Sequence, residues 1–348
     1  MSTTATRISR QITKHELKQR TLLIASLLSL PVIAIVAISV GPASVNLLDV
    51  MFQKSITELQ VNIITDIRVP RMMMTMVTGA GLAVSGVILQ SMFKNPLADP
   101  GIVGVSAGSA LFAAIGFWIN ASIGFAFIPY SLSIPLMAFF GAVFSIALLF
   151  AIAGESGQLQ TNLLVLAGVA INTLATMLLG IIILLVDDST LRQITFWNLG
   201  SYAGIGFTQF APTLLVVVIG FFFLWRQRRA LTLLSLGEKQ ARTQGIKTEK
   251  LKLWSLIATA AIVAVCVCFT GIVGFVGLVV PHICRMLLTS KLSILLPFAA
   301  VVGGGLVALA DIAARTINMP EELPIGLLTS LLGVPFFIWL IRKQRGIR

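Results

Sequence analysis

Residues 185–204, LVDDSTLRQITFWNLGSYAG, place one cation beside two large aromatic side chains. Arg192 precedes Phe196 by four residues and Trp197 by five. A guanidinium binds carboxylates through a planar fork of N–H donors, and aromatic rings offer apolar surface to a flat ligand. The pattern is therefore compatible with binding of an anion that has an apolar face. The alternatives are an aromatic anchor with a flanking cation at a membrane surface, and neutralisation of Arg192 by the two preceding aspartates.

A second set of cations lies where the chain is otherwise apolar. Arg68 and Arg71 flank Pro70, and Arg315 follows Asp311 by four residues. Proline suits the first turn of a helix, where each cation opposes the helix dipole by roughly 0.3–1 kcal/mol. Something other than the helix must therefore favour these arginines. The alternatives are charge anchoring at a membrane interface and, for Arg315, pairing with Asp311 one turn earlier.

Catalytic chemistry is not predicted. The sequence has no G-x-x-x-x-G-K-[ST] loop for ATP and no cluster of acid, base and nucleophile. His282 follows Pro281 without a nearby His, Cys or carboxylate in sequence, so we predict a structural role rather than a metal site. A single tyrosine, Tyr202, is a weak ligand signal. We therefore predict no catalytic residues, no metal ligands and no cofactor bound by this chain.

Membrane-spanning helices must position these side chains. The 348 residues are 57% hydrophobic and 11% charged, whereas soluble domains carry about 25% charged residues. A span needs about 20 apolar residues, and helix is required because the bilayer cannot satisfy an open backbone. We predict an all-α polytopic membrane protein with ten spans, the eighth of them short, at about 21–41, 72–92, 102–120, 131–153, 163–186, 207–225, 253–271, 275–288, 293–312 and 324–341.

The distribution of basic residues predicts the orientation of these spans. Of the 25 Lys and Arg, 20 fall in the two tails and in loops of one side, which the positive-inside rule makes cytoplasmic. Both termini are thus expected in the cytoplasm, with a basic tail at 1–20, one ten-span membrane domain at 21–341 and a short tail at 342–348. The basic charge then belongs to a membrane face in contact with the lipid bilayer, and no nucleic-acid partner is expected.

The stretch 236–246, LGEKQARTQGI, is a polar island in the largest cytoplasmic loop. Ser235 and Glu238 have capping-box spacing for a short helix, which Gly245 would end in the left-handed conformation. Thr248 would cap a second short helix, with Glu249 in its first turn. Two helices held outside the bilayer, at about 235–252, indicate a protein partner; a solvated linker is the alternative.

Two interruptions in the spans point to a transport path. "NPLADPG" (95–101) has two prolines and a glycine between spans two and three, which predicts an abrupt cytoplasmic turn. "GIVGFVGLVVP" (271–281) is broken similarly in the second half. Paired breaks in corresponding halves are typical of substrate paths, and simple tight turns are the alternative. Ionisable residues in mid-span are scarce, Asp311 being the main exception, so we expect an external energy source rather than a proton relay.

Six blocks together resemble the permease subunits of ABC importers for iron-siderophores, haem and vitamin B12, over about residues 40–341. The resemblance implies a homodimer in the bacterial inner membrane with the path at its two-fold axis. It also implies two copies of a separate ATPase, which uses ATP and Mg²⁺ on the cytoplasmic side, and a periplasmic or surface substrate-binding protein. The blocks are IRVPR (67–71), GAGLAVSGVILQSMFKNPLADPGIVGVSAGS (79–109), LGEKQARTQGI, GIVGFVGLVVPHICR (271–285), ADIAAR (310–315) and ELPIGLLTSLLGVPFFIWL (322–340).

The same resemblance implies roles for individual residues. The cytoplasmic gate would comprise Asn95, Leu97, Thr161 and Asn162, of which Asn162 departs from the small hydroxyl residues usual there. Contact with the ATPase would involve Gly237, Glu238, Ala241 and Gly245. Docking of the binding protein would use Arg68, Arg71 and Arg315.

The cargo is predicted from the pattern D-D-x-x-L-R-x-x-T-F-W-x-L-G-S, which looks most like the haem importers. Haem has two propionates and a broad apolar face, which Arg192, Phe196 and Trp197 would suit as the substrate pathway. Ferric siderophores are often anionic too, so they and cobalamin remain alternatives. A secondary transporter without an ATPase, and a membrane receptor or scaffold, are the rival functions.

Overall fold

The computed structural model describes residues 2–42, 57–125, 128–154 and 159–345. Within these ranges every regular element is helical, which confirms the all-α prediction. Nine of the described helices are long and apolar enough to cross a bilayer. In chain order the helices are α1 Ser2–Ser39, α2 Glu58–Met92, α3 Val105–Ser122, α4 Tyr130–Ala153, α5 Thr161–Leu185, α6 Asp188–Leu199, α7 Phe207–Arg226, α8 Arg228–Leu236, α9 Glu238–Thr243, α10 Thr248–Thr270, α11 Val276–Leu287, α12 Leu292–Ala314 and α13 Ile325–Arg345.

The predicted spans agree with these helices within about five residues, except at the starts of α1 and α2. Helix α2 begins at Glu58, well before the predicted start at 72, and includes one wider π-helical turn at Ile63–Arg68. The eighth predicted span is short, as expected, because α11 has only 12 residues. A helix of that length extends about 18 Å, less than the roughly 30 Å of a hydrocarbon core. Non-helical backbone at 271–274 precedes it.

The bundle has two distinct ends. Helices α8 and α9, which we call the knob, lie at the end where the backbone of Leu159, just before α5, contacts the first turn of α10. Gln19 in α1 donates to the carbonyl of Leu288, which follows α11. This part of α1 and the end of α11 therefore lie at the knob end too. The opposite end carries α6 and the start of α13, joined by a hydrogen bond from Ile325 N to Gly200 O. That the knob end is cytoplasmic stays a prediction.

Helix α2 lies at the centre of the bundle. Of its most apolar window 72% is buried, against 17% for α5 and 6% for α1. Glycines let α2 touch its neighbours backbone to backbone: a Cβ built on Gly79 would lie 2.3 Å from the carbonyl oxygen of Gly303 in α12, and one on Gly86 would lie 1.9 Å from that of Gly277 in α11. Small residues at helix crossings are the usual means of close packing in membranes.

The predicted terminal tails are partly helical. Residues 2–20 of the predicted basic tail belong to α1, which runs without a break into the first span. Helix α13 continues to Arg345, and residues 346–348 of the second tail lie outside the described residues.

Candidate functional site

Three of the four predicted gate residues line one cavity. It has a volume of about 470 Å³ and lies at the knob end, between the segment after α2 and the first turns of α5. Asn95, Thr161 and Asn162 all face it. Leu97 does not line it, although its backbone N–H donates to Asn95 Oδ1 at 2.9 Å. The structure thus brings the predicted residues together, and their role as a gate stays a prediction.

The segment after α2 makes turns at residues 93–94 and 96–97, where the sequence predicts an abrupt turn. After Asn95 the chain folds back along α5 and forms a 3-10 turn at Pro100–Val103. Asn172 donates to Gly101 O at 2.9 Å, and Asn172 lies 11 residues, about 16 Å, along α5 from its start. The Asp99 side chain accepts from Gly101 N at 2.7 Å. The predicted turn is therefore present, and these side chains satisfy the broken backbone that follows it.

The two predicted interruptions meet in space. A Cβ built on Gly277, in the first turn of α11, would lie 2.5 Å from Cδ of Pro100 in the 3-10 turn. Phe275, just before α11, has a φ of +66°, which is unusual for an L-residue. Its ring lies over Gly333 of α13, where a Cβ would come within 2.3 Å of the ring. The two irregular segments, 95–101 and 271–281, therefore contact each other inside the bundle.

The connection between the fifth and sixth predicted spans, which is expected on the external side, contains helix α6. Arg192 and Phe196 are one turn apart and both are exposed, Phe196 by 54%. Trp197 is only partly exposed and packs against an apolar cluster that includes Ile194 and Cys268. One residue further along a helix turns a side chain about 100° away. We expected two aromatic rings beside Arg192, but only the ring of Phe196 is exposed next to it.

Arg192 is not neutralised by Asp187 as the alternative held. The Asp187 carboxylate caps α6, accepting from Ser189 N at 3.0 Å and from the hydroxyls of Ser189 and Thr190 at 2.5 and 2.6 Å. These bonds, with the Ser189 hydroxyl first, lower the pKa of Asp187 to about 2. Within the described part of the chain no ion pair includes Arg192. Its guanidinium is thus exposed and available to a ligand.

Arg71 lies in a buried network with two carboxylates. Its Nη2 donates to Asp311 Oδ1 at 2.8 Å, and its Nη1 donates to Glu322 Oε1 at 2.7 Å. Arg71 is 7% exposed and Asp311 2%. Arg315 adds an ion pair, with Nε 3.2 Å from Asp311 Oδ2 but without hydrogen-bond alignment. The predicted i, i+4 pairing of Asp311 with Arg315 is present, and Arg71 joins it from α2.

Arg68 and Arg315 also cap the C-terminal end of helix α1 by donating to its last carbonyl oxygens. Arg68 donates to the carbonyls of Ile38 and Ser39 at 2.8 and 3.0 Å. Arg315 donates to those of Ala37 and Val40 at 2.7 and 3.0 Å. A partner's carboxylate would have to compete with these internal acceptors and with Asp311 and Glu322. Docking of a binding protein on Arg68, Arg71 and Arg315 stays a prediction.

The boundaries of the knob differ from the expected capping pattern. Ser235 does not cap a helix, because its hydroxyl donates to Thr232 O within α8. Helix α9 starts after Gly237 instead. Thr248 is the first residue of α10 and accepts from Arg242 Nε at 3.0 Å, so the expected second short helix is the beginning of a long span. Gly245 has a φ of +78°, which confirms the left-handed end of α9.

The surface of the knob only partly matches the predicted contact residues. Ala241 is fully buried, so its side chain is not available to a partner. Glu238 is half-buried, and although burial opposes ionisation, hydrogen bonds from Lys252 and Arg242 lower its pKa below the usual value. Leu236 is 69% exposed, and sequence reasoning missed it because apolar residues surround the knob in sequence. The exposed knob residues are Arg229, Leu236, Lys239, Gln240, Arg242 and Thr243, and the exposed Gln244 and Gly245 follow directly after α9.

The two residues considered as ligands pack inside the chain. The His282 ring lies edge-on to Phe336 with centroids 5.9 Å apart. The Tyr202 hydroxyl is buried and shares a hydrogen bond with Thr78 Oγ1. In the described ranges no three His, Cys, Asp or Glu side chains are grouped as metal ligands.

Comparison with known proteins places this bundle in a family. The model of the FecCD transport family matches residues 26–343. The chain belongs to the FecCD transport family. Among its FecCD relatives, the hemin transport system permease protein HmuU of Yersinia pestis is 38% identical over 91% of this chain and 95% of its own. The iron(3+)-hydroxamate import system permease protein FhuB of Bacillus subtilis is 37% identical over 93% of this chain and 83% of its own.

A solved structure shows that the similarity to ABC transporters also holds in three dimensions. An inward-facing metal-chelate-type ABC transporter matches with a TM-score of 0.83 and 30% identity, over 93% of this chain and 99% of that one. This FecCD-family chain is therefore a multi-span transport permease of the ABC-importer type.

Proposed function

We propose that this chain is the transmembrane subunit of an ATP-driven importer that moves haem across the bacterial inner membrane. The observation that carries the haem assignment is Arg192, exposed on α6 without an ion-pair partner in the described residues and one turn from the exposed ring of Phe196. A propionate would pair with the guanidinium, and the porphyrin face would lie on the ring. The haem-like pattern of residues 187–201 supports the same cargo. Ferric siderophores and cobalamin are the alternatives.

The functional unit would be a homodimer with the path on its axis. Helix α5 is the support for this, because its wide apolar face is largely unburied within one chain. The cavity lined by Asn95, Thr161 and Asn162 lies on that helix as well. A second copy packed there would place two such cavities opposite each other. Two copies of Arg192 would then face the two propionates of one haem.

Arg192→Ala is expected to lower haem uptake about tenfold while leaving the chain folded, because one charged hydrogen-bond donor to the cargo is lost. Arg192→Lys should recover uptake only in part, since an ammonium keeps the charge but loses the planar fork. The measurement is uptake of haem and of a ferric siderophore by cells whose only permease is this chain.

Lys291→Ala is the matched control, because it removes one exposed cation at the knob end. Its haem uptake should equal that of the unmodified chain. Siderophore uptake without haem uptake in the unmodified chain would refute the haem assignment and leave the importer intact.

The energy source would be a pair of separate ATPase subunits bound to the knob. Two features support this: an exposed face that includes Leu236, and a φ of +78° at Gly245, which fixes the direction of the chain after α9. The ATPases would use ATP and Mg²⁺, and this chain would bind neither. A substrate-binding protein would dock at the α6 end. The knob end would then be cytoplasmic, with both termini on that side.

Gly245→Val is expected to weaken ATPase association without preventing insertion. Nothing lies within 4 Å of a Cβ at this position, so the effect is of backbone conformation alone. A β-branched residue resists the left-handed region at a cost of about 1–2 kcal/mol, which would redirect the exposed face of the knob. The measurement is co-purification of the ATPase and cargo-stimulated ATP hydrolysis in vesicles.

Gly245→Asn is the control, because asparagine tolerates the left-handed conformation. It should retain most of the association. Equal ATP hydrolysis by the valine and asparagine variants would remove Gly245 from the coupling role. If cargo accumulates in vesicles that contain this chain alone, with an ion gradient and no ATPase, the secondary-transporter alternative is correct.

A further inference from the structure

Both backbone groups of Leu159 are held by side chains of α10. Glu249 Oε2 accepts from Leu159 N at 2.5 Å, and Lys252 Nζ donates to Leu159 O at 2.9 Å. Leu159 lies two residues before α5 begins at Thr161. We call this arrangement, Glu249 and Lys252 on the backbone of Leu159, the Leu159 clamp.

The clamp continues into the knob through charged hydrogen bonds. Lys252 Nζ also donates to Glu238 Oε2 at 2.8 Å, and Glu238 is the first residue of α9. Arg242, in the same helix, donates from Nη2 to Glu238 Oε1 at 2.8 Å and to Glu249 Oε1 at 2.9 Å. Four side chains of alternating charge therefore join α9 and α10, and two of them hold the chain before α5.

Burial distinguishes this set from an ordinary surface network. Lys252 is only 3% exposed, and Leu159 is 8% exposed. A buried ammonium must be satisfied by several acceptors, and Lys252 has a carboxylate and a main-chain carbonyl. Main-chain contacts of this kind do not depend on the identity of residue 159, so they fix the position of the backbone.

The clamp has a mechanical consequence for the cavity at the knob end. Thr161 and Asn162, which line that cavity, are two and three residues beyond the held backbone. A displacement of α9 against α10 would move Glu238 and Arg242, and with them Lys252 and Glu249. The first turn of α5 is attached to those two side chains and would follow.

We propose that the Leu159 clamp is the connection through which movement of the knob opens or closes the cavity lined by Thr161 and Asn162. This rests on the proposed function, in which the knob is the contact of the ATPase. Glu249 and Lys252 are then positioning residues, since they act on the start of α5 and do not touch the cargo. Glu238 would serve this connection through both of its carboxylate oxygens.

The first measurement needs no partner. In lipid nanodiscs, amide hydrogen exchange of the peptide containing Leu159 should become at least about tenfold faster in Glu249→Ala, the factor given by the loss of one hydrogen bond to a charged group. Glu249→Gln keeps an acceptor and should retain most of the protection. Lys250→Met is the control, because Lys250 is exposed on the same helix. Unchanged exchange in Glu249→Ala would overturn the clamp.

The second measurement tests the connection. In vesicles with the ATPase and binding protein, Lys252→Met and Glu249→Ala should still bind the ATPase and hydrolyse ATP, but should use about tenfold more ATP per cargo molecule. Lys250→Met should not. The same ATP use per cargo in all variants would overturn the connection while the unmodified chain still transports. An unmodified chain that binds no ATPase would instead overturn the proposed function, and the exchange result would still show whether the clamp exists.

Discussion

Arg71→Met is expected to destabilise the folded chain by about 3 kcal/mol, because removing one partner of a buried ion pair leaves the other charge uncompensated. Asp311 would lose its two-pronged contact with Arg71 and keep only the poorly aligned Nε of Arg315. Glu322 is partly exposed and would turn to water. The measurement is thermal unfolding of the detergent-solubilised chain, together with the fraction that elutes as a single species.

Two further variants decide whether the ion pair is the cause. Arg192→Met removes the same charge from an exposed site, so it should unfold at the temperature of the unmodified chain. Arg71→Met combined with Asp311→Asn should recover part of the stability, because no buried charge is then left without a partner. An Arg71→Met chain that is stable but fails to bind the substrate-binding protein would contradict this account and favour the docking role.

Gly86→Ala is expected to destabilise the bundle by about 3 kcal/mol, at the upper end of the range for overpacking. The added Cβ would lie 1.9 Å from the carbonyl oxygen of Gly277, and that atom belongs to backbone rather than to a flexible side chain. Helices α2 and α11 would have to separate. Since Gly277 also contacts Pro100, the junction of the two broken segments would move with them. Thermal unfolding in detergent is again the measurement.

Gly180→Ala makes the same substitution with the opposite expected sign. Gly180 is exposed on α5, and a Cβ there meets nothing within 4 Å. Alanine in a helix interior is favoured over glycine by roughly 0.5–1 kcal/mol. If Gly86→Ala unfolds at the same temperature as Gly180→Ala, the close approach of α2 and α11 does not limit stability.

The bundle was predictable because its helices are long apolar runs. The short length of α11 was also predictable, because glycines and a proline interrupt the apolar run that contains it. The start of α2 was missed because residues 58–68 contain polar and charged side chains that resemble a loop. The knob was predicted as structured, but Ser235 and Glu238 have the spacing of a cap without acting as one. Local spacing does not reveal which of two short helices a serine belongs to.

The site was predictable only where its contacts are local. The pairing of Asp311 with Arg315 follows from their spacing of four residues, whereas Arg71 reaches Asp311 across 240 residues. Asn172, which holds the chain at Gly101, is separated from it by 71 residues. The side-chain directions on α6 could have been anticipated, because a helix turns Trp197 away from Arg192. The predicted gate residues came together because the resemblance placed them, not because their spacing did.

The caps on helix α1 set an order of events during synthesis. Arg315 donates to Ala37 O, 278 residues earlier in the chain. At about 5–20 residues per second, roughly 15 to 55 s separate the emergence of the two from the ribosome. Until Arg315 has been synthesised, Arg68 is the one of these two arginines that can donate to the last carbonyls of α1. The α6 end of the bundle therefore acquires its final arrangement only after α12 has been inserted, and a nascent chain arrested before that point holds its first helix less firmly.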